Sequence, residues 1–580
     1  MKKVFYFLGI AALLCLPSIA SAQYFEANGI AYNIISNEEH TVEVTMRLDC
    51  TMYSGNVVIP STVAHGGVTY DVVALGEQAF YASTISGITI PSSVKRIKYG
   101  CFMSASNLTT ITLPASVEEV GELAFAANRL TAINVDEDNA HFRSIGGILF
   151  SKDSATLVEC PLTKSGAVTL PQNTLHISPS AFSYCHSITG VTLHEGLVSI
   201  GAYAFEDATH LNNVIIPASV SYLGSSLFGG CTALNSLTLE EGNTHYFADG
   251  MAIYSMAGDT LVSYHKSADS VFLPDGLLVV DGFDGNNNVK YVHIPNSVNT
   301  IGANAFVYSS LKSIEMPEQM TEVGDYAFYE CNSLVHVGMP TTLGTLGRGC
   351  FEGCTKLSSI AIPNGLRRIS TEAFANCTSL ADISWGDVVE VVDSLAFAGC
   401  RLSGLQLPPT VRTVRIGAFE SFSRNARMDR VAFSAPVDTI ESEVFVYRLI
   451  GTLRLMNSIP PATTEFGCLY MADVDRIVVP CGTLQAYQSD SYWGGFASKL
   501  QEDCNGIDDT EQDNPVTVYT QGNRLYVRGA QGESVSVFDA AGRQIFHKES
   551  ASACESVAVP SVGVYIAKIG SDKSRKVVVN

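Results

Sequence analysis

Charge is scarce along this chain, and what there is runs mostly one way. Only 16% of the 580 residues are Asp, Glu, Lys or Arg, and 57 acids against 35 bases leave a formal net charge of −22. So acidic a chain repels nucleic-acid phosphates and anionic lipid, which removes both as partners. The low share of charge also argues against disorder and for a packed, Ser/Thr-rich surface. No run reaches the roughly 18 apolar residues that span a bilayer, so no membrane insertion is expected. Catalytic signatures are missing too: there is no HExxH, no GxSxG elbow, no phosphate-binding Walker loop and no dinucleotide glycine fingerprint. The chain reads as a non-enzyme without cofactor or metal.

What the sequence has in quantity is repetition. Ala-Phe or a close substitute returns every 22 or 23 residues. Phe80, Phe102 and Phe125 form one run, Phe182, Phe205 and Phe228 a second, and Phe283, Phe306, Phe328, Phe351, Phe374, Phe397 and Phe419 a third. The gaps between runs, 57 and 55 residues, hold extra rungs plus insertions. Such a period marks a solenoid in which each unit buries its apolar face against its neighbours.

One rung reads as follows. In Ala305 to Pro317 the Phe plugs the core, and Leu311, Ile314 and Met316 point inward from an extended segment ending at proline. The same ending recurs as Ile88-Thr89-Ile90-Pro91, Val292-His293-Ile294-Pro295 and Ile360-Ala361-Ile362-Pro363. Apolar residues alternating with an outward one mark a half-buried strand, and proline, which has no N–H to give the ladder, closes it. Residues Ile59 to about Val479 would hold roughly eighteen rungs at ~4.8 Å each, an elongated body of order 80 Å. Both ends of such a stack need caps, expected over 23–70 and 450–500 around the repeats of 71–449.

The N-terminus reads as an export signal over 1–22, with Lys2 and Lys3 before an apolar stretch and Ala20-Ser21-Ala22 before Gln23. Exported proteins usually pair their cysteines. Here Cys185, Cys231, Cys331, Cys354, Cys377 and Cys400 each sit three residues after a repeat Phe. They therefore form one column and read as small buried hydrophobes; a column offers a line of sulfurs, not the converging set zinc needs. Cys468, Cys481, Cys504 and Cys554 lie outside it, with their pairing open.

The pattern Ile-x-Ile-Pro-x-x-Val-x-x-Ile-Gly-x-x-Ala-Phe-x-x-Cys-x-x-Leu resembles the BspA-like branch of leucine-rich repeat proteins. The opening from Phe25 to Phe80 and the segment Val478 to Tyr487 resemble that family's first and last rungs. Inserted rungs appear around Gly146 to Phe150 and Gly250 to Tyr254. The resemblance implies a β-rich α/β solenoid, a leucine-rich repeat right-handed superhelix of 22–23-residue rungs. Residues 501–515 follow as an acidic linker. After it the period changes to short alternating strands, which predict a small β-sandwich over 516–580. Val537-Phe538-Asp539, Gly542-Arg543, Gly563-Val564-Tyr565 and Lys576 to Val579 resemble the C-terminal sorting domains read by type IX secretion. That implies passage across an outer membrane and a Gram-negative source; an ordinary accessory β domain is the alternative. Triplets such as Asp153-Ser154-Ala155 and Asp259-Thr260-Leu261 resemble acceptor sites of a bacterial O-glycosylation system. Asp136 to Asn139 reads as an acidic turn, since it lacks the alternating oxygen ligands of a calcium loop.

The outward strand positions are mostly small, polar and uncharged, a floor suited to broad contact. Tyr291, His293, Glu315 and His336 depart from this on three consecutive rungs, within about 10 Å of one another. They are the candidate ligand-binding residues, read against the alternative of four solvated side chains. The expected function is adhesion or protein recognition at the outer surface, with host matrix or plasma proteins as the partners the resemblance implies. The rival readings are glycan capture in nutrient uptake, which needs aromatic platforms, and a structural envelope component without a specific ligand.

Overall fold

The computed structural model describes residues 23–49, 51–126, 129–265, 268–424 and 426–504, together with 517–521, 524–528, 534–539, 543–549, 554–558, 563–569 and 573–579. The expected signal peptide and most of the expected linker, 505–515, lie outside the described residues. The chain forms two compact units: Met1–Thr452 with Pro461–Asp475, and Leu453–Pro460 with Arg476–Asn580. The fold is a parallel β-solenoid of about 18 turns with little helix, as the repeat predicts.

Each turn of the solenoid has two strands and two corners. The Ile-x-Ile-Pro segments pair in parallel: Ser270–Phe272 with Tyr291–His293, then Ser313–Glu315, then His336–Gly338. At the first corner the proline carbonyl closes a tight turn, accepting the N–H of Val94 at Pro91, Val298 at Pro295 and Leu366 at Pro363. Two-residue strands then form a second parallel sheet, as in Val279–Val280, Thr300–Ile301, Glu322–Val323 and Thr345–Leu346. The second corner carries the Phe.

That Phe corner is a third ladder, with both backbone groups of the buried Phe spoken for. The N–H of Phe306 donates to Ala327 O, Phe328 to Cys350 O and Phe374 to Ala396 O, each at 2.8 Å. In return the Phe carbonyl accepts a thiol from the next turn: Cys331 to Phe306 at 3.0 Å, Cys354 to Phe328 at 3.2 Å, Cys377 to Phe351 at 3.1 Å and Cys400 to Phe374 at 3.2 Å. Each of these carbonyls also accepts the N–H three residues on in its own turn, as from Ser309 to Phe306 at 3.0 Å, so the thiol fills the second lone pair and the cysteine column supplies a further donor as well as volume. These thiols are free, and burial pushes them up in pKa. The rings stack face to face, 5.0 Å apart from Phe283 to Phe306 and 5.5 Å from Phe397 to Phe419. The column runs on to Phe445, 6.1 Å from Phe419. The corner is tight enough that the backbone turns left-handed two residues before and after the Phe, at Gly349 and Gly353 for example. At Gly353 a Cβ would lie 2.6 Å from Glu330 Oε1.

The two long gaps each contain an antiparallel hairpin, Phe142–Ile145 with Ile148–Ser151 and Tyr246–Ala248 with Ala252–Ser255. Both begin with a buried asparagine in the same role. Asn139 Nδ2 donates to Pro114 O and Val117 O, while its Oδ1 accepts the N–H groups of His141 and Phe142. Asn243 does the same with Pro217, Val220, His245 and Tyr246. In the expected acidic turn, Asp136 accepts the N–H of Asp138 at 3.0 Å and so shapes the approach to the first hairpin.

The hairpins break the Phe ladder, and at the first gap a side chain repairs it. Phe125 has no Phe corner directly after it, and its N–H donates instead to Glu159 Oε1 at 3.0 Å. Cys160 then takes up the backbone pattern, donating to Ala181 O at 2.8 Å. In the second gap Tyr264 replaces Phe, donating to Gly282 O and stacking on Phe283 at 4.8 Å.

In the second unit, Ile477 to Pro480 pair in parallel with Leu500–Asp503, so the first residues of the expected linker are strand. Exposed Gln501 and Glu502 on an edge strand have linker-like composition, which is why the boundary is misplaced. Cys481 and Cys504 form a disulfide, resolving that part of the open pairing. Tyr487 and Trp493 are fully buried, ring edge to ring face. The last strands form a three-stranded and a four-stranded antiparallel sheet, whose Leu525, Val527, Val557, Val535, Val537 and Ala567 share one core.

Burial pushes the Glu159 carboxyl up from 4.5 to about 8, the Phe125 hydrogen bond opposing only in part. In that window the fold holds a proton that the unfolded chain has released, so stability falls as pH rises from 4.5 to about 8. Glu159→Gln keeps an acceptor for Phe125 and loses the proton. Asp281, Glu352 and Glu420 are raised in the same direction and contribute alike in both proteins. Urea titrations across this range are expected to show a flatter pH dependence in the variant, by on the order of a few kcal/mol. Equal slopes would contradict this role for Glu159.

Candidate functional site

The strand Tyr291–His293 buries Val292 and turns Tyr291 and His293 outward, because successive side chains alternate across a sheet. The neighbouring strands do the same with Ser313 and Glu315, and with His336 and Gly338. Register sets who meets whom. Tyr291 lies beside Ser313, Ser313 beside His336, and Glu315 beside Gly338.

The four expected residues do not converge on one point. Glu315 reaches diagonally to His336, Oε1 to Nε2 at 2.7 Å, with both side chains about half exposed. Gly338 makes this reach available: a Cβ there would lie 1.9 Å from Glu315 Oε2. His293 turns the other way and stacks on Phe272, centroids 4.1 Å apart and planes within 7°. Tyr291, 40% exposed, shares the His293 face two residues earlier. At the rim Lys290 Nζ pairs with Asp269 Oδ1 at 2.7 Å.

Phe272 is the residue that sequence reasoning missed. It is 76% exposed, matched among large apolar side chains only by Ile459 within the described residues. Its rung hides in the 55-residue gap behind the second hairpin, yet Val271-Phe272-Leu273-Pro274 carries the same strand ending as the other rungs. The assembled surface is a strip of two aromatic rings and an imidazole, followed by a carboxylate–imidazole pair. It offers stacking and hydrogen bonding from a flat sheet. Arranged in this way, these side chains can stack on and hydrogen-bond to a ligand laid along the sheet.

Among the described residues, one group of three potential metal ligands comes together, Cys481, Glu502 and Cys504, and its two sulfurs are joined in the disulfide. No helix among the described residues is long and apolar enough to cross a membrane.

The sequence matches the BspA type leucine rich repeat region in six copies, over residues 68–157, 157–251, 280–401 and 346–466, more than half of the chain. Similar solved structures include a leucine-rich repeat protein from Bacteroides ovatus, at 21% identity, covering 83% of this chain and 99% of that one, with a TM-score of 0.34. A leucine rich cell surface protein from Faecalibacterium prausnitzii matches at 22% identity over 71% of this chain and 95% of its own, with a TM-score of 0.33. The pneumococcal vaccine antigen PcpA matches at 20% identity over 67% and 93%, with a TM-score of 0.33. No curated protein matches the chain.

If Phe272 belongs to a free contact surface, the fold does not depend on it. Phe272→Ala is expected to change unfolding free energy by no more than about 0.5 kcal/mol. A loss above about 2 kcal/mol in a denaturant titration would show that the ring is a packing element.

Proposed function

The chain belongs to the BspA-type leucine-rich repeat family, and from that premise we propose that it is an exported, non-enzymatic recognition protein of the cell surface. Its contact surface is the outward face of the Ile-x-Ile-Pro sheet, centred on Phe272, Tyr291, His293, Glu315 and His336. The observation that carries this reading is the exposed Phe272–His293 stack on a sheet whose other outward residues are mostly small and polar. Large exposed aromatic rings are the usual anchors of binding surfaces, and a rigid sheet presents them with little ordering cost. The ligand is an extracellular protein, of the matrix or plasma kind that the family resemblance implies.

Export rests on the signal pattern of residues 1–22, and passage across an outer membrane on the sorting-domain resemblance of 516–580, whose two-sheet core fits such a module. In this reading 516–580 engages the secretion machinery of a Gram-negative cell. One observation favours a second reading, glycan capture. Phe272 joins Tyr291 on the same face, and together they supply the aromatic platforms on which a sugar ring stacks.

The test is binding of the purified protein to immobilised matrix proteins, plasma proteins and glycans, beside a variant carrying Phe272→Ala, Tyr291→Ala, Glu315→Ala and His336→Ala. Saturable binding to a protein, weakened at least about tenfold in the variant, is the expected result. Saturable binding to a glycan alone would favour the second reading. Binding unchanged by the variant would remove this face from the account.

A further inference from the structure

The Phe ladder is interrupted once more near its end, and the repair there is larger than its task. Arg448 stands three residues after Phe445, where six other turns have Cys, and it is 1% exposed. Its Nε donates to Phe419 O at 2.9 Å, the bond a thiol makes elsewhere. Its Nη2 donates to Cys400 O at 2.9 Å and to Glu420 O at 3.4 Å. Nη1 has no hydrogen-bond partner, and the guanidinium no ion pair, among the described residues. The carboxyl that acts on it electrostatically, Glu420, is itself pushed up to about 7 by burial and by Glu443. Burying an unpaired guanidinium costs far more than burying a thiol, so the carbonyl ladder alone does not explain this residue.

Arg448 lines a cavity of about 340 Å³, together with Arg424, Tyr447, Met471 and Asp473. The Arg424 guanidinium lies over the Tyr447 ring, 5.5 Å from its centroid, and has no carboxylate partner among the described residues. Asp473 Oδ1 accepts the N–H of Val474 at 2.9 Å. Two guanidinium groups against one carboxylate give the lining itself an excess of one positive charge.

We propose that this cavity binds a single carboxylate group, presented by an acidic sugar or by a peptide. One net positive charge suits a monoanion, and the Asp473 carboxylate repels the second charge of a phosphate. Planar guanidinium donors match a planar carboxylate in geometry as well as charge. Tyr447 and Met471 give the remainder of the ligand an apolar wall. The volume is at the small end of the roughly 300–1,000 Å³ typical of ligand pockets, enough for one ring or one side chain. The site is separate from the Phe272 surface, and its test does not depend on that surface.

Calorimetric titration of the whole chain with galacturonate, N-acetylglutamate, sulfate and uncharged galactose tests the assignment. Galacturonate or N-acetylglutamate is expected to bind with a Kd below about 1 mM, and whichever binds identifies the source as sugar or peptide. Arg424→Ala, a change at an exposed side chain, is expected to weaken that binding at least about tenfold, a difference of roughly 1.4 kcal/mol. Arg448→Met should abolish it if the protein folds, but the Arg424 variant decides the matter alone. Sulfate binding as tightly as the carboxylates would overturn the carboxylate assignment. No binding by any anion, or binding indifferent to Arg424→Ala, would overturn the site.

Discussion

A buried phenylalanine has an N–H and a carbonyl that cannot reach water, and this chain has to satisfy both at every turn. The N–H goes forward to the carbonyl before the next Phe, while the carbonyl takes the N–H three residues on in its own turn and, along the cysteine column, a thiol from the next turn as well. The 22–23-residue period and the small residue before most of the repeat Phe side chains answer that requirement, and the cysteine column adds a second donor to the carbonyl. The stacked rings contribute the burial, but the hydrogen-bond ladder is what forbids slippage, since an offset of one residue would leave a row of unmatched groups.

The same constraint explains the exceptions. Where the first hairpin displaces the next Phe corner, a carboxyl that burial keeps protonated accepts the stranded N–H. Near the end of the column, where the thiol is missing, a guanidinium donates in its place. The first repair introduces no net charge near neutrality. The second brings a charge into the core with a nitrogen to spare beside a cavity, which is why it carries a functional inference and the first does not. Recognition by the outward sheet is a separate matter, because the ladder fixes the inner residues and leaves the outer ones free to vary.

Much of this was legible in the sequence. The Ala-Phe spacing marked the solenoid, the Ile-x-Ile-Pro segments marked the strands, and the long gaps marked the insertions. Strand alternation and rung order brought Glu315 and His336 near one another, and the structure has them in contact. What was not legible depends on neighbours far apart in the chain. Phe445 follows Phe419 by 26 residues, outside the period. Phe272 lay inside a gap that obscured its register. The roles of Glu159 and Arg448 rest on which backbone groups the insertions and the end of the column leave unmatched. Gly338 looks like an empty outward position until the Glu315 side chain is seen folded across it.

The ladder is tested most directly by site-resolved amide hydrogen exchange in the native protein and in Glu159→Ala. The account requires the Phe125 amide to be protected in the native protein and to exchange at least about tenfold faster in the variant, with Phe374 many turns away unaffected. Unchanged protection at Phe125 would contradict the claim that one side chain closes the ladder there. Equal acceleration at Phe125 and Phe374 would contradict the claim that each turn depends only on its neighbours.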